Sequence, residues 1–399
     1  MSVTGPQGFL AAGTASGIKE SGALDLALLV AAAPTGEGGG GKARPVPTAG
    51  VFTTSRAPAA PVLLCRRHLA ATGGRASAVV VNSGCANAAT GEPGAKVAAR
   101  TAELAAAHLG VPPEEVLVCS TGIIGQDLPF APIEEAMPNL VSRLERSREA
   151  ETAAATAIMT TDTRPKQTLV SRAGFSVGGM CKGAGMIAPN MATMLAFLTT
   201  DAAVDPKMLQ AALAAAVEPT FNRISIDGCT STNDTVLVMA SGGAADPVSP
   251  GELTEALTEA CADLAYQIMA DAEGGTKVAK VTVTGARSEE DAVRAARAIA
   301  DSALVKCSLF GADPNWGRIL GAAAVSGAAF DPAAVSVGYG PIRVCEAGRA
   351  TGHDEAAVRA HLEQHDVEIS CDLGAGTATA SVLGCDLTYG YIDENTGRS

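Results

Sequence analysis

Lys182-Gly183-Ala184-Gly185-Met186-Ile187-Ala188-Pro189-Asn190-Met191-Ala192-Thr193-Met194-Leu195 lies near the middle of a chain of 399 residues. A Gly-x-Gly run and a proline make this stretch a poor helix. The residues that follow, Met194-Leu195-Ala196-Phe197-Leu198, are apolar and suit either a buried strand or a helix start. Thr193 thus stands where irregular chain enters a core element, a position that can hold a hydroxyl rigidly beside flexible backbone. The plainer alternative is a glycine loop over the core, with Thr193 an ordinary buried hydroxyl.

Working outward, residues 8–32 read as strands joined by turns, and Val62-Leu63-Leu64 and Ala78–Val81 as buried strands. Residues 94–109 have helical character. Val116–Cys119 is a strand that runs into Ser120-Thr121-Gly122-Ile123-Ile124-Gly125. Residues 132–158 suggest one or two helices interrupted at Pro138, ending in the cap-and-turn residues Thr160 to Lys166. Beyond Thr193, Asp205-Pro206 opens a helix over about 206–217. Thr235–Ala240 is a strand, helices cover about 251–271 and 288–302, and Val281–Thr284 alternates as a strand does. Val335–Tyr339 and Ile342–Cys345 form a hairpin around Gly340-Pro341. A helix over 354–364 and strands at Glu368–Asp372 and Ala378–Leu383 complete the pattern. Strands and helices mix without a strict β-α-β rhythm, which predicts a layered α+β architecture in two lobes or one large domain.

Composition limits the function. The chain is 47% hydrophobic and 18% charged, so it can bury a large core. With aromatics at 3%, alanine, valine, leucine and glycine must fill that core. The formal net charge of -13 argues against general binding to nucleic acid. No apolar run is long enough to span a bilayer, and the start, Met1 to Gly8, has neither the basic nor the apolar region of a signal peptide. A cytoplasmic location is expected. The ten cysteines include no Cys-x-x-Cys pair, so they predict reduced, mostly buried thiols and no structural zinc.

Several constellations have bland explanations. Gly36 to Lys42 imitates part of a phosphate loop, but Ala43 replaces the hydroxyl residue and Pro45 and Pro47 block the following helix. His361 and His365, four apart on a predicted helix, share a face and read as solvated. Cys85 could be a nucleophile, yet a turn stapled by Asn82 and Asn87 explains it better. Trp316 follows Asp313-Pro314-Asn315, either as a corner of a binding wall or as an aromatic plug in the core.

Thr193 calls for a different chemistry. A threonine hydroxyl is a poor nucleophile unless a base sits beside it, and cleavage of the chain just before it frees an α-amine to be that base. An α-amine titrates at roughly 7.7–8.0, far closer to neutrality than a lysine at about 10.4. The cleavage can drive itself if the hydroxyl attacks the carbonyl of Ala192 and the resulting ester hydrolyses.

Taken together, these stretches resemble the ornithine acetyltransferase family, also called glutamate N-acetyltransferase, of arginine biosynthesis. The likeness runs nearly end to end. It includes Gly8-Phe9, Val51-Phe52-Thr53, Asn82 to Gly91, Ser120 to Gly125, Met159 to Lys166 and Gly179 through Leu195. It continues through Asp227 to Asp234, Glu273-Gly274, Lys306 to Arg318, and Asp386 to Asn395. The resemblance implies an αββα layered sandwich like that of amidohydrolases with N-terminal nucleophiles, but with different connectivity. It implies a precursor that cuts itself between Ala192 and Thr193 into an α chain, 1–192, and a β chain, 193–399. The two chains would stay associated in a larger hetero-oligomer such as α2β2.

It further implies ping-pong transfer of an acetyl group from N2-acetylornithine to Thr193 and then to glutamate, with no metal or organic cofactor. Thr121 and Gly122 match the family's oxyanion pair. Thr160, Lys182, Glu273, Asn395 and Ser399 match its substrate contacts, in a tail shorter than the family's usual one. Whether acetyl-CoA is a second donor is left open by the motifs. The alternatives are an N-terminal-threonine amidase or aminopeptidase, in which water replaces glutamate, and a secondary-pathway paralogue of the acetyltransferase.

Overall fold

The computed structural model describes residues 1–33, 41–188, 194–244 and 246–396. Ala192, Thr193 and Ser399 lie outside the described residues, as does most of the glycine run that begins at Gly36. The chain forms two compact units. The first takes in Met1–Gly183, Asn190–Asn222 and Thr230–Gln267, and the second Ala184–Pro189, Arg223–Cys229 and Ile268–Ser399.

Unit 1 contains two sheets. One has the order β1-β2-β5-β6, from β1 (Phe9–Thr14), β2 (Leu26–Ala31), β5 (Ala78–Cys85) and β6 (Val116–Ile123). The other has the order β4-β3-β10-β9-β8-β7. Its strands are β3 (Val46–Phe52), β4 (Arg75–Ala76), β7 (Lys166–Arg172), β8 (Phe175–Lys182), β9 (Leu195–Thr200) and β10 (Thr235–Ala240). The period-2 alternation of a strand sorts the apolar residues into layers. Ala27, Leu29, Val79, Val81, Leu117 and Cys119 share one core with Met180, Leu195, Phe197, Leu237 and Met239 of the other sheet. The alternate residues Leu26, Leu28, Val30, Val80 and Val118 pack in a second core with the helices Gly91–Leu109 and Phe130–Ser142. On the outer side of the second sheet lie the helix Pro206–Val217, against β3 and β10, and the residues up to Gln267 of the helix Pro250–Met269. A side chain at Gly179 of β8 would press on Leu264 of the latter, so glycine sets that approach. Helix, sheet, sheet and helix form the αββα layering. Strands covered on both faces read as continuous apolar runs, which is why an aromatic-poor chain can build them from alanine, valine and leucine.

Unit 2 holds the third sheet, of order β14-β13-β12-β15-β11-β16. Its strands are β11 (Val278–Ala286), β12 (Ser336–Tyr339), β13 (Ile342–Glu346), β14 (Arg349–Ala350), β15 (Asp366–Asp372) and β16 (Ala378–Cys385). Ala279, Val281 and Val283 point into a core with the helices Glu289–Asp301, Trp316–Ala324 and Glu355–Leu362.

Three local expectations change, and one open alternative, that of Trp316, is decided. Val62-Leu63-Leu64 is helical, within Ala60–Ala71. A short apolar run cannot tell strand from helix, and Pro61 in the first turn with buried Leu64, Cys65 and His68 at helical spacing decides for helix. Pro138 does not interrupt its helix. It lies inside Phe130–Ser142 on the exposed face, where water can serve the carbonyl the ring leaves without a donor, and the break comes before Ser147, whose side chain caps Arg148–Ala157. His361 and His365 do not share a helix face. The helix ends at Leu362, His361 bonds the backbone of Glu368, and His365 pairs with Asp366. Trp316 opens a helix and packs, partly buried, against the core of unit 2.

Candidate functional site

In unit 1 the expected oxyanion residues stand at the end of β6. This strand runs parallel to β5, and the register slips by a bulge where Gly84 and Cys85 face Thr121, Gly122 and Ile123. Gly122 has φ of 129°, and a Cβ there would collide with the backbone of Gly84 and Cys85, so no other residue fits. Thr121 is buried and Gly122 exposed, which brings a backbone turn to the surface directly from the core. Side-chain amides brace this corner. The Ser120 hydroxyl donates to Asn82 Oδ1 (2.6 Å), and Asn82 Nδ2 donates to the carbonyl of Cys85 (2.9 Å). Asn233 Nδ2 donates to the carbonyls of Ala86 (2.6 Å) and Ser120 (2.8 Å). Cys85 is buried, and burial raises its thiol pKa, which suits a structural turn and not a nucleophile. Asn87, in the left-handed region, donates instead to Gly94.

A second feature of unit 1 centres on Asp162, which is buried between the helix Arg148–Ala157 and β7. Its Oδ1 accepts from Lys166 Nζ (2.6 Å) and the amide of Gly183 (2.7 Å), and its Oδ2 accepts from the amide of Thr160 (3.0 Å). Burial opposes the charge on this carboxyl. The Lys182 and Lys166 charges and these hydrogen bonds outweigh burial and hold it below the ordinary carboxylate range. Thr160 and Lys182, 22 positions apart, are therefore tied to one carboxylate. Lys19 joins them. Its Nζ donates to the carbonyls of Leu24 (2.9 Å) and Met159 (2.8 Å), and burial lowers its pKa against the pull of Asp25 and Asp162. Nearby, Asp234 has 0% exposure, and its Oδ1 accepts from the amide of Met194 (3.1 Å).

In unit 2 the carboxylate of Glu273 covers Gly185, where a Cβ would overlap it. The Glu273 amide donates to the carbonyl of Ala184 (2.8 Å), and Asn395 Nδ2 donates to Glu273 Oε2 (3.0 Å). Glu273 and Asn395, 122 positions apart, are thus brought together. Asp227 fastens the same segment. Its Oδ2 accepts from the amide of Met186 (2.6 Å) and the Tyr391 hydroxyl (3.3 Å), and its Oδ1 from the amides of Ile187 (3.0 Å) and Cys229 (3.1 Å). Burial raises the Asp227 pKa in spite of these donors, and burial next to Asp227 raises that of Tyr391. Gly274, with φ of 63°, lies against the backbone of Gly390 and Tyr391, too close for any side chain.

A half-buried carboxylate can receive an ammonium group, and a lysine can receive a carboxylate. Sequence reasoning named Thr160, Lys182, Glu273 and Asn395 but did not name Asp162 and Asp227, which bond the backbone beside them, or Asp234. The signal was slight: all three aspartates lie in the shared stretches Met159 to Lys166 and Asp227 to Asp234, but residue order alone gave them no role. No group of histidine, cysteine, aspartate or glutamate suited to a metal ion occurs among the described residues.

Residues 10–397 match the model of the ArgJ family. The chain belongs to the ArgJ family. The arginine biosynthesis bifunctional protein ArgJ of Thermobifida fusca is 45% identical over 399 residues, spanning 100% of each chain. The protein of the same name from Streptomyces avermitilis is 46% identical, again over 100% of each. Among solved structures, ornithine acetyltransferase from Mycobacterium tuberculosis, in complex with ornithine, is 45% identical. It covers 47% of this chain and 94% of that one, with a TM-score of 0.43. As a member of the ArgJ family the chain is an enzyme, a glutamate N-acetyltransferase of arginine biosynthesis. Among its described residues no helix is long and apolar enough to cross a membrane.

Proposed function

We propose that the enzyme moves the acetyl group of N2-acetylornithine to glutamate in two half-reactions that share one threonine. The precursor cuts itself between Ala192 and Thr193 into chains 1–192 and 193–399, which remain together in a cytoplasmic hetero-oligomer such as α2β2. The freed α-amine of Thr193 takes the hydroxyl proton, and the oxygen attacks the acetyl carbonyl of acetylornithine. Thr121 and Gly122 stabilise the oxyanion that develops, usually the largest electrostatic contribution in acyl transfer. Ornithine leaves, and the amine of glutamate takes the acetyl group from Thr193. Lys182 meets the substrate carboxylate, Glu273 its ammonium, and Thr160, Asn395 and Ser399 complete the contacts.

The observation that supports this reading is the convergence of Thr160 and Lys182 on Asp162. It holds two substrate contacts of distant sequence in one charged, buried frame. The relatives are named bifunctional, which favours acetyl-CoA as a second acetyl donor to the same threonine. The test is mass spectrometry of purified protein. The second fragment should begin Thr-Met-Leu-Ala and gain one acetyl group on exposure to acetylornithine, then lose it on addition of glutamate. Thr193→Ala should remain one inactive chain. An intact wild-type chain with full activity, or acetylornithine turnover that glutamate fails to accelerate, would overturn the proposal.

A further inference from the structure

Asn233 of unit 1 has no place among the substrate contacts above, yet its side chain reaches the corner that carries Thr121 and Gly122. Its Nδ2 donates to the carbonyls of Ala86 (2.6 Å) and Ser120 (2.8 Å), while its Oδ1 accepts from the Thr232 hydroxyl (2.6 Å). A carbonyl can only accept, so the amide can stand only one way round, and both of its N–H groups are used. Asn233, Ala86 and Ser120 are all buried, so these bonds form out of reach of water, where they are strongest. The Ser120 carbonyl and the Thr121 amide are the two ends of one planar trans peptide. A bond to that carbonyl therefore fixes the direction of the amide and the place of the Thr121 Cα. Ala86 lies just beyond Gly84 and Cys85, against whose backbone Gly122 packs, and its amide donates to the carbonyl of Ile123 (2.9 Å). One side chain thus spans both sides of the bulge. The next residue, Asp234, accepts from the amide of Met194 (3.1 Å), and Thr235 opens β10 opposite Leu195 of β9. Two consecutive side chains hold the corner on one hand and the residue after Thr193 on the other.

We propose that Asn233 is a positioning residue for acetyl transfer, an inference that rests on the function proposed above. It sets Thr121 and Gly122 at a fixed offset from the chain that follows the nucleophile, acting through the Ser120 peptide and not by contact with substrate. Donors aimed at a developing oxyanion are effective because they are in place before the charge appears and need no reorganisation. A misplacement of about 1 Å can cost about a hundredfold in rate. After the proposed cleavage Asn233 belongs to the chain 193–399, and Ala86 and Ser120 belong to the chain 1–192. The amide then keeps the oxyanion donors of one chain in register with the nucleophile of the other.

The experiment is a double-mutant cycle on the purified enzyme. Wild type, Asn233→Ala, Thr121→Ala and the double variant are assayed for acetyl transfer from acetylornithine to glutamate. Asn233→Ala should keep the wild-type circular dichroism, and its kcat and kcat/KM should fall together by about a hundredfold, the pattern of an interaction realised only in the transition state. Thr121→Ala should lose about 10²–10³-fold in kcat. Because both residues act on one oxyanion hole, the double variant should lie within about tenfold of Thr121→Ala and not reach the product of the two losses. A double variant lower than that would overturn the proposal, as would an Asn233→Ala enzyme with wild-type kcat, whatever its KM. Should Asn233→Ala not fold or not be cut as wild type is, Asn233→Ser, which keeps one donor, replaces it in the cycle. If that chain fails in the same way, Asn233 only supports the fold and the proposal is overturned. A wild-type chain that moves no acetyl group from acetylornithine to glutamate would sink the underlying reading instead.

Discussion

Two aspartates hold the segment that leads to Thr193, and they do it in different ways. Asp162 of unit 1 takes the amide of Gly183, and Asp227 of unit 2 takes the amides of Met186 and Ile187. Both are carboxylates bonded to backbone, and both are opposed by burial. Asp162 sits among lysines, which keep it charged and depress its pKa, whereas Asp227 faces amides and a phenol, and its pKa rises. Hydrogen bonds from neutral donors are not enough to offset burial here, while two nearby cations are. Unit 1 therefore sets beside Thr160 and Lys182 a carboxyl held in its charged form, and unit 2 holds its own segment with a carboxyl that protonates more readily.

The largest effect should come from removing the ionised frame. Asp162→Ala strips a carboxylate from beside buried Lys166 and Lys182 and should cost about 3–5 kcal/mol, the scale for breaking a buried ion pair. Urea denaturation measures it, and a loss below about 1 kcal/mol, as for a surface pair, would remove the contrast with Asp227. Next come Lys182 and Glu273, the anchors proposed for the substrate. Lys182→Ala and Glu273→Ala should each lower both half-reactions, acetylation of Thr193 and its discharge, by about 2–5 kcal/mol in barrier. If either variant blocked one half-reaction and left the other at the wild-type rate, that residue would not serve both substrates.

The pH dependence sharpens the comparison through its sign. Asp162 has a folded pKa below the unfolded value of about 3.9, so its contribution is present above that value and is lost as pH falls through the folded pKa. Asp162→Asn should therefore lose most relative to wild type at neutral pH, and the gap should close in acid. Asp227 has a folded pKa above the unfolded value, so the folded state favours its proton and is penalised as pH rises through the folded pKa. Asp227→Asn should improve relative to wild type as pH rises. Urea midpoints over a pH series test both, and slopes of the same sign would contradict the stated causes. The smallest effect belongs to Asn395→Ala, which removes an exposed hydrogen bond to Glu273 worth about 0.5–1.5 kcal/mol at most. Its thermal unfolding should barely move, and a large drop in Tm would mean that Asn395 supports the fold of unit 2.

Local chemistry by itself determined much of this protein. Asp205-Pro206 caps its helix as its residue types require, with the Asp205 side chain accepting from the amides of Lys207 and Met208. The hairpin around Gly340-Pro341 and the strands at Thr235–Ala240 and Ala378 onward follow from alternation and turn residues. The long stretches shared with a family point to Thr160, Lys182, Glu273 and Asn395 through residue order alone. Tertiary structure decided what local pattern could not. It made Val62-Leu63-Leu64 helical, and it packed Trp316 against the core of unit 2. It also selected which aspartates matter. A carboxylate in a polar turn looks the same in sequence whether water or a buried lysine faces it. The energy that separates Asp162, Asp227 and Asp234 comes from burial and from charges distant along the chain, and only folding brings those together.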